Sequence, residues 1–305
     1  MQNATPLSIP TAAQLMAADR PPRSDLLPPW LASDTAALVY GPPGIGKSFF
    51  ALGVAWAVAQ GGDQGGSFLG WRSTRPRRVL YVDGEMGAAE LSDRLALFGP
   101  LPDGLSILAH DRPGGARLDL GAEDGIVRLM AAWNDPQLLV LDTLSALTPS
   151  VQADRDPERR DGLHSFLLHL KQSRRAVLMV DHADRRGVLN GSARCASAAD
   201  LVMALRPTAP GAARAAGGNA HFEIHFEKTR QRARLFPIRA ELQTVDGAGT
   251  WHWDAACRTD RLAALVRQGL SRRDVCEALG IERSWFFRLK AEARARGLLP
   301  PKGMS

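Results

Sequence analysis

A glycine-rich run at residues 41–48 carries the clearest chemical signal in the chain. It consists of Gly41, Pro42, Pro43, Gly44, Ile45, Gly46, Lys47 and Ser48, a complete G-x-x-x-x-G-K-S pattern, with Phe49 directly after it. In such a loop the backbone N–H groups surround a polyphosphate, the lysine reaches the β- and γ-phosphates, and the serine hydroxyl binds Mg²⁺. Residues 41–49 are therefore predicted to bind ATP with Mg²⁺. A Gly/Pro-rich turn that matches by accident is the alternative.

Elements of the right kind flank this loop. Residues 36–40 form an apolar strand candidate before it, and residues 47–60 form a helix candidate after it. A strand, a loop and a helix start place the phosphates at the positive end of a helix.

A second magnesium ligand is predicted at Asp142. Four apolar residues precede it in the run Gln137-Leu-Leu-Val-Leu-Asp142, and Thr143 follows. ATP hydrolysis by a phosphate-binding loop needs an acid at the end of a buried strand to hold Mg²⁺ together with the loop serine. Ser48 and Asp142 are thus the predicted metal ligands. The alternative for Asp142 is a helix N-cap.

The attacking water also needs a carboxylate. The apolar run Val79–Val82 ends in Asp83-Gly-Glu85. Glu85 is the predicted catalytic base because Gly84 gives the backbone room to point it at the γ-phosphate, and Asp83 is the second candidate. Either acid could instead cap a helix.

His182 follows the apolar strand candidate 176–181. A hydrogen-bond donor at a strand tip can sense the γ-phosphate, and His182 is predicted to do so. A surface histidine at a strand end is the alternative.

Lys228 and Arg230 follow the alternating run 221–227. Alternate residues of a strand lie on one face, so the two cations point together. In ring ATPases a Lys-x-Arg at such a place reaches the ATP of the neighbouring subunit, where the arginine neutralises transition-state charge. The alternatives are a basic strand face on nucleic acid and, as the finger, Arg206.

The elements that must position these residues alternate between short apolar runs and longer amphipathic runs. Continuous Val/Leu runs are typical of strands buried on both faces of a parallel sheet, and the β-α-β-α order predicts a doubly wound α/β core. Strands are predicted at 36–40, 78–83, 105–109, 137–142, 176–181 and 199–206, and helices at 47–60, 87–98, 122–133 and 157–173. Residues 221–227 and 234–242 are predicted to add an antiparallel hairpin.

The composition is that of a soluble globular protein, with 45% hydrophobic and 23% charged residues. No apolar run is long enough to span a membrane. The three cysteines, Cys195, Cys257 and Cys276, have no metal-ligand spacing, which indicates a reducing, cytoplasmic setting. The first 35 residues are expected to be a poorly structured or partly docked lead segment.

The excess positive charge is localised at the C-terminal end. Residues 258–305 contain 11 Lys+Arg and 5 Asp+Glu, a balance of +6, which equals the net charge of the whole chain. Such a basic module is expected to contact a polyanion, and a solvated basic tail is the alternative. Three short helices with glycine-containing turns predict a helix-turn-helix. Arg283, Arg288 and Lys290 of its third helix are predicted to bind DNA, while Trp285, Phe286 and Leu289 are expected in the core.

Two loops also carry arginines. The loop 148–161 contains Arg155, Arg159 and Arg160, and the loop 183–195 contains Arg185 and Arg186. Loops of this kind at the centre of a ring can track a phosphate backbone. Solvated loops are an equal alternative.

Taken together, the motifs at 41–48, 79–85, 138–142 and 177–182 and the run 191–201 resemble the RecA-like ATPases. Within them they are similar to the hexameric plasmid replicative helicases of the RepA type. The resemblance covers roughly residues 36–240. It implies a ring with ATP sites between subunits, Glu85 as base and DNA through the centre. Asp181-His182 in place of a paired histidine, and the basic module after residue 257, depart from that pattern.

The expected architecture is a lead segment (1–35), a RecA-like ATPase domain (36–254) and a basic helix-turn-helix (258–305). The predicted function is an ATP-hydrolysing DNA motor, a ring-forming replicative helicase of a plasmid or other mobile element that works without a membrane. An ATP-switched DNA-binding regulator and a signalling ATPase without DNA are the alternatives.

Overall fold

The fold comes from a computed structural model. It describes residues 9–18, 22–62, 66–111, 118–153, 157–184, 189, 193–208, 220–230, 235, 237–254, 258–267, 269–279, 281–295 and 298–300. The strands are β1 (Asp25–Leu27), β2 (Leu31–Ala32), β3 (Ala36–Gly41), β4 (Ser67–Phe68), β5 (Trp71–Arg72), β6 (Val79–Asp83), β7 (Leu105–Leu108), β8 (Leu138–Asp142), β9 (Ala176–His182), β10 (Leu201–Arg206), β11 (His221–Thr229), β12 (Ile238–Val245) and β13 (Ala248–Asp254). The helices are α1 (Ala12–Ala17), α2 (Lys47–Gln60), α3 (Ala88–Ala96), α4 (Glu123–Ala131), α5 (Leu144–Leu147), α6 (Pro149–Ala153), α7 (Pro157–Gln172), α8 (Ala193–Ala198), α9 (Arg258–Arg267), α10 (Arg272–Leu279) and α11 (Arg283–Ala295).

A large central sheet organises the chain, with the strand order β13-β12-β11-β10-β3-β9-β8-β6-β7 in the described residues. The six strands from β10 to β7 are parallel, and β11, β12 and β13 extend the sheet as antiparallel strands. The predicted α/β class, with a mostly parallel sheet and appended antiparallel strands, is therefore confirmed. The strand β13 was not predicted.

Both faces of the parallel strands β3, β6, β8, β9 and β10 are buried, which fits their continuous apolar sequences, whereas the edge strand β7 is only partly buried. In β3, Ala37 and Val39 face a core that contains α2, whereas Leu38 and Tyr40 face the core beneath α7. Successive strand residues point to opposite faces, so each strand contributes to both layers.

The helix α2 is apolar on all sides, and other elements cover it on each side. The hairpins β1–β2 and β4–β5 add Leu27, Trp30 and Phe68 to its core. A Cβ at Gly53 would lie 2.2 Å from the Phe68 ring, so only glycine permits this close packing. Residues 25–32 are thus docked on the core. Of the two expectations for the lead segment, poorly structured or partly docked, the second holds for these residues.

The parallel strands place their carboxyl ends at one edge of the sheet. Gly41 pairs with His182, and Asp83 pairs with Asp142. Ligands of open α/β sheets bind at this edge. The residues predicted to bind phosphate and Mg²⁺ and to activate the attacking water therefore lie close together at this edge.

The three C-terminal helices form a unit with its own core. Leu262, Val275, Phe286 and Leu289 are buried together. Gly269 ends α9 in the left-handed conformation (φ +82°), and the Ser271 side chain caps α10. Trp285 was expected in this core but is 47% exposed. The buried stripe of α11 runs through Phe286, Leu289 and Ala293, and position 285 lies off that stripe.

No helix in the described ranges is both long enough and apolar enough to cross a membrane.

Candidate nucleotide site

A cavity of about 620 Å³ opens at the carboxyl edge of the sheet. The phosphate-binding loop forms one wall, and the loop is shaped by Gly46, whose φ of +106° is the left-handed conformation that glycine adopts readily. A Cβ at Gly41 would lie 2.7 Å from the carbonyl oxygen of Leu205, so this position also requires glycine. The helix α2 begins at Lys47, and the first N–H groups of α2 have no intrahelical partner.

Lys47 is folded into the loop. Its Nζ donates to the carbonyl oxygens of Gly41 (3.1 Å) and Pro42 (3.0 Å), and only 5% of the residue is exposed. Burial lowers the pKa of Lys47, while the nearby carboxylates of Asp142 and Glu85 act in the opposite direction. The ammonium group is therefore held among acids at the base of the cavity.

Asp142 ends β8 and is buried. Its Oδ2 accepts a hydrogen bond from the hydroxyl of Tyr81, which is also buried. Burial raises the pKa of Asp142, and the neighbouring hydroxyls of Tyr81 and Ser48 offset only part of that rise. Burial also raises the pKa of Tyr81 well above its usual value, with Asp142 adding to the effect, so the phenol stays a donor.

The second carboxylate oxygen of Asp142 is suited to contact a metal ion or a water molecule of its hydration shell. Oδ1 is buried and accepts no hydrogen bond from the described part of the chain. No group of three or more His, Cys, Asp and Glu side chains in the described ranges could hold a metal ion alone. Mg²⁺ characteristically uses one or two protein oxygens together with substrate phosphates, which suits Ser48 and Asp142.

Asp83, the second candidate base, stabilises the turn formed by residues 84–87. Its carboxylate accepts hydrogen bonds from the N–H groups of Glu85 (3.2 Å), Met86 (2.9 Å) and Gly87 (2.9 Å). Its Oδ2 also lies 3.0 Å from Nδ1 of His110. Burial alone would raise the pKa of Asp83, but the hydrogen bonds from His110 and the three backbone amides outweigh it, and the pKa is lowered.

Glu85 lines the cavity at the tip of this turn with an exposed side chain. Its Oε2 lies 3.4 Å from the hydroxyl of Thr143 and 3.4 Å from Nε2 of His182. The structure therefore brings Lys47, Ser48, Glu85, Asp142 and His182 together around one cavity. At this distance the histidine can orient the carboxylate.

The rim of the cavity holds a residue that the sequence analysis missed. The guanidinium of Arg94 on α3 lies 4.7 Å from the centre of the Phe49 ring and also pairs with Glu90. Tyr81 and His110 were missed as well. No sequence signal assigned them a role, because Tyr81 reaches Asp142 and His110 reaches Asp83 only through the pairing of β6 with β8 and β7.

Lys228 and Arg230 lie elsewhere in the same chain. Val202 pairs with Lys228 and with Leu38, so this end of β11 lies beside the early part of β3, away from the loop that follows Gly41. Lys228 donates to the carbonyls of Ala196 (2.8 Å) and Ser197 (3.0 Å). Arg230 donates to the same Ser197 carbonyl (3.3 Å), so the two side chains do converge, at the C-terminal end of α8.

The other cations have different surroundings. Arg206 pairs with Glu227 at 2.9 Å. Arg283 and Arg288 are exposed on α11, and Lys290 lies with its Nζ 5.6 Å from the Phe286 ring centre. Arg155, Arg185 and Arg186 fall outside the described residues, as do the side chains of Arg159 and Arg160 in α7.

Residues 3–188 match the model of the AAA_25 family, described as an AAA domain. The chain belongs to this family. Among solved structures, this AAA_25 protein is similar to the flagellar accessory protein FlaH from Methanocaldococcus jannaschii, with 12% identity, a TM-score of 0.50 and coverage of 72% of this chain and 90% of FlaH. It is also similar to the KaiC-like protein PH0186 from Pyrococcus horikoshii OT3, with 16% identity, a TM-score of 0.47 and coverage of 74% of this chain and 93% of PH0186.

The family match supports the predicted P-loop ATPase class, and the likeness to FlaH agrees with the predicted α/β fold. No curated protein matches it.

Proposed function

We propose that this AAA_25 protein hydrolyses ATP with Mg²⁺ as a ring-forming DNA motor, a replicative helicase of the kind that the RepA-type resemblance implies. The observation that carries the ATPase part is the convergence of Lys47, Glu85 and Asp142 on one cavity. A cation for the phosphates, a carboxylate for the water and a buried acid for the metal are the groups that phosphoryl transfer to water requires.

Each side chain has a defined task in this proposal. Ser48 and Asp142 would hold Mg²⁺, which would neutralise charge on the phosphates. Lys47 exchanges its bonds to Gly41 and Pro42 for phosphate oxygens. Glu85 orients the water and takes its proton as the bond between the water oxygen and the γ-phosphorus forms and the bond to the β-phosphate oxygen breaks. Because Asp83 is already saturated with hydrogen bonds from its own turn, Glu85 is the stronger candidate base.

The rim is proposed to receive the adenine. Arg94 and Phe49 present a planar cation over an aromatic ring beside the phosphate loop. Planar groups of this kind suit stacking on a purine. Lys47 and Arg94 line the same cavity.

The ring part of the proposal rests on where the finger candidates lie. Transition-state charge in this reaction is commonly met by an arginine supplied by a neighbour. Lys228 and Arg230 lie beside the early part of β3, away from the phosphate loop of their own chain. In this proposal they reach the ATP of another subunit instead. A closed ring, with hexameric symmetry expected from the resemblance, gives every site such a neighbour.

The DNA part rests on the basic C-terminal module and on the arginines of the segments 148–161 and 183–195. These segments were expected to be loops, but the first contains α6 and the start of α7, and the second contains the start of α8. The module has its own core, which also suits the second candidate function, an ATP-switched DNA-binding regulator. Two assays separate the candidates. Hydrolysis stimulated by single-stranded DNA together with displacement of a strand from a forked duplex supports the helicase. Stimulation without displacement favours the regulator, and no response to DNA contradicts both.

A further inference from the structure

The third helix of the C-terminal module has two sharply different faces. Phe286, Leu289 and Ala293 are buried in the module core. On the opposite side Ser284, Arg288, Ala291 and Ala295 form one exposed row, which we call the outer row. Their spacing of four, three and four residues places them on a single helix face.

Two large aromatic side chains flank the outer row. Trp285 is 47% exposed and Phe287 is 52% exposed, one on each side. The guanidinium of Arg288 lies 5.9 Å from the Trp285 ring centre, and that of Arg283 lies 6.0 Å from the Phe287 ring centre. The aromatic rings therefore restrain the arginines while leaving their N–H groups at the surface.

The net charge of α11 as a whole is complementary to a polyanion. The helix α11 carries four cations, Arg283, Arg288, Lys290 and Arg294, and one acid, Glu292. Arg272 and Arg273 are exposed at the start of the preceding helix, α10. Only residues 280–282 separate α10 from α11, as in a helix-turn-helix.

We propose that the outer row of α11 enters the major groove of double-stranded DNA and reads base edges there. The proposal rests on the proposed function for the identity of the partner as DNA, and it adds which strand form is bound and which residues read it. Arg288 is assigned to a guanine, with its two N–H groups on O6 and N7, and Phe287 to a thymine methyl group. Arg272 and Arg273 are assigned to phosphates, which position the module without reading sequence.

Shape favours a duplex over a single strand. An α-helix with side chains is about 10–12 Å across and the major groove is about 12 Å wide. The small residues Ser284, Ala291 and Ala295 allow the helix axis to approach the base edges closely. Single strands are bound by grooves and open stacking platforms, whereas α11 is convex.

The test is selection from a random-sequence duplex library with the full-length protein, followed by affinity measurements on the enriched duplex and a scrambled one. We expect enrichment of a defined sequence. Arg288→Ala should weaken binding of the enriched duplex by about 10- to 100-fold and change binding of the scrambled duplex far less. Arg288→Lys keeps the charge but loses the two-pronged contact, so it should reduce the preference while retaining scrambled-duplex affinity.

Arg261→Ala is the matched control, since Arg261 is exposed on α9 and the change removes the same charge. It should lower the affinity for both duplexes equally and slightly. Equal losses for both duplexes with Arg288→Ala, equal binding of the enriched sequence as a single strand, or no enrichment at all would each overturn the assignment.

The ATPase proposal is tested separately by Lys47→Ala. This variant should lose hydrolysis and keep the sequence preference. A wild-type protein that hydrolyses ATP in a DNA-stimulated manner but prefers no duplex sequence leaves the proposed function standing and removes the role of α11.

Discussion

Nδ1 of His110 lies 3.0 Å from Oδ2 of Asp83, so the segment after the edge strand β7 is joined to the turn that carries Glu85. The same Asp83 carboxylate accepts three backbone N–H groups of that turn. His110 touches neither the phosphate loop nor the proposed metal ligands in the described contacts. We therefore expect His110 to be a positioning residue that acts on Glu85 through Asp83.

His110→Ala should lower kcat about tenfold, because small displacements of a catalytic group are costly. The dissociation constant for a non-hydrolysable ATP analogue should stay within about twofold of the wild-type value. His110→Asn should restore most of the rate, since the amide N–H can donate where Nδ1 does. Steady-state kinetics and calorimetry measure both quantities. An unchanged kcat in His110→Ala would show that the turn needs no such support.

Asp142 is expected to reduce the stability of the nucleotide-free protein. Burial raises its pKa above 3.8, so the folded state holds this proton more tightly than the unfolded state. Stability is then lost as the pH rises past 3.8 and through the folded-state pKa. Asp142→Asn removes the buried charge and keeps an oxygen that accepts from Tyr81. At pH 7 its Tm without nucleotide should exceed that of the wild type by about 3 °C.

The same variant should no longer gain stability from Mg²⁺ and an ATP analogue, although the wild type should gain it. Thermal scans at pH 7 and near pH 3.5 check the account, since the difference between the proteins should shrink at the lower pH. A lower Tm for Asp142→Asn at pH 7 would contradict it.

Glu85→Gln should separate binding from hydrolysis. The amide cannot accept the proton of the water, so kcat should fall by about 10²- to 10⁴-fold. The affinity for ATP should be retained because Glu85 makes no contact with the phosphate loop in the described hydrogen bonds. Asp83→Asn is the informative comparison: it should lower stability as well as rate, because Asp83 holds the turn. Normal hydrolysis by Glu85→Gln would contradict the role of Glu85 as the base and would leave Asp83 as the candidate.

Arg230→Ala should reduce hydrolysis by about 10³-fold or more if the arginine completes a neighbour's site. Mixing Arg230→Ala with Lys47→Ala subunits tests this directly, since an intact loop in one variant can meet an intact arginine in the other. Partial recovery of turnover is expected in the mixture. A thermal scan of Arg230→Ala controls for loss of its bond to Ser197. Normal hydrolysis by Arg230→Ala alone would mean that the finger is assigned wrongly.

The local signals in the sequence predicted much of the fold. The predicted strand at 36–40 and helix at 47–60 agree with β3 and α2 to within one residue. These elements depend on a continuous apolar run and on a loop of fixed composition, which are visible without knowledge of neighbours. The convergence of Lys47, Glu85 and Asp142 followed because parallel strands share a carboxyl edge.

Features that depend on strand order could not be predicted in this way. Tyr81 reaches Asp142 because β6 lies beside β8, and His110 reaches Asp83 because β7 lies beside β6. Trp285 was placed in the core with Phe286 and Leu289 on their spacing along a helix, but the helical phase set by Phe286 and Leu289 turns Trp285 outward. The side chains concerned become neighbours only through tertiary pairing.

Calorimetric titration of the folded protein with a non-hydrolysable ATP analogue, with and without Mg²⁺, tests the central claim most directly. The account predicts saturable binding that is tighter with Mg²⁺ in the wild type and is lost in Lys47→Ala. The absence of any magnesium-dependent heat from folded wild-type protein would contradict the claim that the cavity between Lys47 and Asp142 is a nucleotide site.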